Sequence, residues 1–180
     1  MLAVLTTWLG VHHSHVNADR LARLVHAHPS ARLLAYWSAV ATWLDKDRRL
    51  ARLVAAYAGP PVDLLPTGTA FQIQRRGADE RFALSALRTS NGTLLDRAAD
   101  VLSPEGVIRH HAGYRNRVLM GPSFRADVWP VLEQAPELPI AELARRALVS
   151  SLAQSPPTYG DKTRVSTSLR SGSNHHRRSR

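Results

Sequence analysis

Cysteine is absent from this 180-residue chain. That removes disulfide scaffolds, thiolate metal sites and cysteine nucleophiles, and it suits a reducing compartment. Lysine is nearly absent: among 24 basic residues only Lys46 and Lys162 are lysines. No stretch reaches the roughly 18 apolar residues that a spanning helix needs. The opening "MLAVLTTWLGVHHSH" is an apolar run broken by threonines, without a positive n-region, and reads as a poor secretion signal. A cytoplasmic protein without a membrane partner is expected.

Catalytic signatures are missing as well. There is no GxGxxG, no GxxxxGK[ST] and no GxSxG. Asp45 and Asp47 have DxD spacing, but no Gly-Ser turn precedes them, and Lys46, Arg48 and Arg49 flank them. They read as a solvated charged turn. No enzymatic activity, cofactor or metal is expected.

What is present is apolar material and positive charge. The apolar fraction of 44% supports a globular core, and the formal charge is +10. Half of that charge falls in residues 156–180, where six basic residues face Asp161 alone. This tail has almost no apolar residues and no period, so it reads as disordered. It would adhere to phosphates in a strongly salt-dependent way.

Helix signals dominate residues 1–122. Asn17 is a fitting cap for "ADRLARLVHAH", and Ser30 caps "ARLLAYWSAVATWLDKDRRLARLVAAYAG". Leu33, Trp37, Val40 and Leu44 form one apolar stripe of that stretch, and Leu50, Leu53, Val54 and Tyr57 a second. The "DKDRR" between them fits either a solvated turn of one long helix or a joint between two. "TAFQIQRR" and "RFALSALR", separated by "GADE", have partial alternation and predict a small antiparallel hairpin near 69–88. Ser103-Pro104-Glu105 starts a helix that runs to Gly121-Pro122. The fold class expected is α+β, mostly α-helical, with a small central hairpin.

Three histidine groups arise. His12, His13 and His15 fall in an expected loop, with His26 and His28 a helix away; the only nearby acid is Asp19, no HExxH-type spacing exists, and they read as solvated or partly buried rather than as metal ligands. His111 and Tyr114 share a helical face with Val107 and Val118, which makes them core residues with polar tips. Alternatively, His110, Arg117 and Arg109 form an anion-binding face.

Residues 123–155 carry the most specific pattern. "SFRADVWPVLEQAPE" reads as a helix that Pro130 weakens or kinks. After Pro139, Ile140, Leu143, Ala144 and Ala147 lie on one helical face, with Arg145 and Arg146 opposite. "LVS" would be a turn, with Ser150 capping a second helix from Ser151. The segment "SFRADVWPVLEQAPELPIAELARRALVSS" resembles the C-terminal helix-turn-helix of bacterial transcriptional regulators. More loosely, "GPPVDLLPTGTAFQIQRRG" with "GYRNRVLMGPSFRADVW" resembles antitoxin-type regulators encoded beside nucleotidyltransferase toxins.

The resemblance implies DNA binding by a transcription regulator or antitoxin. Ser150, Ser151 and Gln154 would lie nearest the bases, with Arg145 and Arg146 on phosphates. A cognate toxin and a second copy of the chain are the implied protein partners. Leu148 stands where such turns usually carry glycine, and Pro156-Pro157 cut the second helix after "SLAQS". The motif is therefore partial, and the change of composition where it stops is what a lost reading frame near residue 152 would produce. The alternative is a protein-interaction module that binds through the amphipathic helices at 18–58.

Overall fold

The computed structural model describes residues 1–149. The expected 156–180 tail lies outside them. The fold is α+β and mostly helical, with one two-stranded sheet.

The first helix, α1 (Leu2–His12), occupies the apolar run that contains Thr6 and Thr7. Thr6 and Thr7 do not interrupt it. Their hydroxyls donate to the carbonyls one turn back, Leu2 at 2.8 Å and Ala3 at 3.1 Å, so the polar groups are satisfied within the helix. Helix α2 (Ala18–His26) starts at Asn17, whose side chain accepts from the Arg20 N–H, and α3 (Ala31–Trp43) starts at Ser30 in the same way.

"DKDRR" is a joint. Helix α3 ends at Trp43, Asp47 caps the tight turn Arg48–Leu50, and α4 (Ala51–Val54) follows. The core has two parts that share α3. Leu9, Tyr36, Ala39, Val40, Phe82, Leu87 and Leu94 form one part; Ala18, Ala22, Val25, Ala41, Leu50 and Leu53 form the other. The apolar faces at 18–58 thus cover one another.

The hairpin expectation is corrected. Residues Thr69–Arg76 are helix α5, and the sheet pairs β1 (Val62–Asp63) with β2 (Leu87–Arg88) in parallel. The Val62 N–H donates to Ala86 at 2.8 Å and the Leu64 N–H to Arg88 at 2.9 Å. Parallel strands require a crossover, and α5 is part of it. Glycines at positive φ, Gly68 (76°) and Gly77 (78°), bound α5 at both ends, and they punctuate a helix here rather than a hairpin.

The helix expected over 104–120 is two: α6 (Pro104–His110) and α7 (Ala112–Met120). His111 adopts an extended backbone between them, and its Nδ1 accepts the Tyr114 N–H at 3.0 Å, capping α7. Helix α8 (Phe124–Gln134) continues through Pro130, which removes one backbone donor from it. Helix α8 packs on α7, and α9 (Ile140–Val149) packs on α8.

A buried charge network ties this helical layer to the N-terminal half. The Asp127 carboxylate accepts from Arg117 Nε at 2.7 Å, Asn17 Nδ2 at 2.9 Å and Arg20 Nη1 at 3.2 Å. Asn17 therefore serves two elements at once, with its oxygen on α2 and its amide nitrogen on α8.

Candidate nucleic-acid interface

Helix α9 carries the residues that the sequence singled out. Ala147 is buried and Leu143 is half-buried, whereas Ala144 is exposed and Ile140 is 85% exposed. The four-residue stripe expected to face inward is thus reduced to its Leu143 and Ala147 members. Ile140 sits at the first position of α9.

Arg145 and Arg146 are exposed, and both reach the same carboxylate. Arg145 donates to Glu142 through Nε at 2.8 Å and Nη2 at 2.7 Å, and Arg146 donates through Nε at 2.8 Å. These bonds hold the Glu142 carboxyl below its ordinary range. The spacings are i,i+3 and i,i+4, so the sequence itself carries the signal for this pairing. Ser150, Ser151 and Gln154 lie outside the described residues.

The histidines separate into different roles. His12 is fully buried at the end of α1, stacked on Trp8. Its Nε2–H donates to the Leu102 carbonyl at 2.9 Å, which in the neutral ring leaves Nδ1 to accept the Tyr114 hydroxyl at 2.6 Å. Tyr114 is a core residue with a polar tip as expected, but His111 is exposed and acts as a cap, and Val118 is exposed. His15 has its pKa lowered by burial first, and then by His12, Arg49 and His13. Among the described residues no group of three or more His, Cys, Asp or Glu stands close enough to hold a metal.

Asp47, read as part of a solvated turn, is instead the organiser of that turn. Burial pushes its carboxyl up, but hydrogen bonds from Arg49 and His13 outweigh burial and hold it at about 2. A carboxyl depressed in the folded state stabilises the protein above its unfolded pKa, and this contribution disappears as pH falls through the folded value. Asp47→Asn is therefore expected to flatten the acid limb of stability between pH 3.8 and about 2. Denaturant midpoints measured across that range check it; identical limbs in both proteins would reject the assignment.

No protein-family model, curated protein or solved structure matches the chain. Among the described residues no helix is long and apolar enough to cross a membrane.

Proposed function

We propose that this chain binds DNA as a transcription regulator or antitoxin-like protein, with Arg145 and Arg146 on phosphates and Ser150, Ser151 and Gln154 nearest the bases. One observation supports the phosphate role above the others: two exposed guanidiniums on α9 converge on a single oxyanion, that of Glu142. A phosphodiester oxygen offers the same acceptor chemistry, and arginine forks suit it. Glu142 then competes with the DNA for both heads.

Binding of promoter fragments from the chain's own gene, across a salt series, tests this reading. Each phosphate contact contributes about 0.9 to the slope of log affinity against log salt. Arg145→Ala with Arg146→Ala should therefore weaken binding and reduce that slope by about 2. Unchanged affinity and slope would refute a role for α9. Glu142→Gln is expected to strengthen binding, because it releases both guanidinium heads from their competing carboxylate.

A second reading, a protein-interaction module for a partner such as a cognate toxin, draws support from Leu24 and Val54. Both are large apolar side chains left exposed in the 18–58 region, 49% and 43% respectively. Leu24→Asp would abolish a complex of that kind and leave DNA binding intact.

A further inference from the structure

We propose that the cleft walled by α7, α8 and the adjoining face of α2 binds a small organic anion through its phosphate monoester or carboxylate group. The cleft measures about 540 Å³, a volume that suits a small metabolite. Its charged lining, among the described residues, comprises Arg20, Arg117 and one carboxylate, Asp127, with the imidazoles of His110 and His111 beside them. Its two arginines therefore outnumber its one acid, at a wall drawn from five helices.

Arg117 carries the argument. It spends only Nε, at 2.7 Å, on Asp127, so its two terminal nitrogens have no hydrogen-bond partner among the described residues. Its side chain is just 23% exposed, with the carboxylate that orients it 3% exposed. A guanidinium so placed is aimed, largely removed from water, and still holds a pair of parallel N–H groups. Phosphate and carboxylate are the groups that accept such a pair bidentately. Asp127 orients the fork by fixing its third nitrogen.

The histidines add donors at the same wall. The His111 Nδ1 accepts the Tyr114 N–H, so the neutral ring carries its proton on Nε2. His110 ends α6, is exposed, and its side chain makes no hydrogen bond among the described residues. Of the anion-binding face considered from sequence, His110 and Arg117 meet here, while Arg109 is not part of this wall. Ala147, the buried seat of α9, also lines the cleft, so an occupant touches the helix that bears Arg145 and Arg146. The site itself uses neither arginine and stands independently of the DNA-binding reading.

Inorganic phosphate and citrate, titrated separately into the full chain at constant ionic strength, provide the test. The His110 and His111 imidazole resonances report occupancy. Saturable shifts with a Kd on the order of 1 mM for at least one probe are expected, and the preferred probe distinguishes phosphate from carboxylate ligands. Arg117→Lys keeps a cation beside Asp127 but loses the fork, and should weaken binding by about 10-fold or more. His110→Ala, which breaks no side-chain hydrogen bond among the described residues, should weaken it severalfold. Shifts that never saturate, or affinities indifferent to both Arg117→Lys and His110→Ala, would overturn the proposal.

Discussion

Asp127→Ala is expected to destabilise the protein by about 3 kcal/mol, the lower end of the cost of breaking a buried ion pair. The carboxylate is 3% exposed and accepts from Arg117, Arg20 and Asn17. Its removal leaves cationic groups facing one another across a partly buried space. Arg117 is 23% exposed, so water recovers part of the loss, which places the effect at the lower end. The denaturant midpoint should fall with the slope m unchanged. Amide exchange in α8 should accelerate together with exchange at the start of α2, because Asn17 links them. A loss under 0.5 kcal/mol, or acceleration in α8 alone, would show that the network does not join the halves.

A loss of similar size, about 3 kcal/mol, is expected for His12→Ala. The substitution opens a cavity beside Trp8 and strips partners from the Tyr114 hydroxyl and the Leu102 carbonyl at once. Tyr114→Phe removes only the hydroxyl and leaves Nδ1 of His12 without its donor, at a cost of about 1–2 kcal/mol. Measured together, the single and double variants give the coupling between the two rings. A coupling near zero would mean that the 2.6 Å contact contributes nothing beyond packing.

These two expectations rest on features that the sequence did not disclose, and the reason is distance along the chain. His12 and Tyr114 are separated by 102 positions, and Asn17 and Asp127 by 110. Neither period nor composition records which of nine histidines meets which tyrosine. Signals completed within one turn were legible. Asn17, Ser30 and Ser103 cap helices because the accepting side-chain oxygen and the donating N–H lie three residues apart. Where local signals compete, they mislead: alternation in "FQIQ" suggested a strand, although its flanking glycines enclose a helix. On α9 the arginines were legible and their shared partner Glu142 was overlooked, while Arg117 entered the sequence reading without its buried carboxylate.

The double duty of Asn17 has a consequence for synthesis. Helix α2 and its cap emerge from the ribosome 110 residues before Asp127, and Arg20 emerges 107 before it. At ordinary elongation rates the interval is on the order of 5–20 s. Throughout it, the N-terminal helices can bury their apolar faces, but the acid that receives the Asn17 amide and the Arg20 guanidinium does not yet exist. Completion of the N-terminal half is thus timed by translation of α8, and a pause between the two would hold the nascent chain in a state with its helices packed and its links to Asp127 unmade.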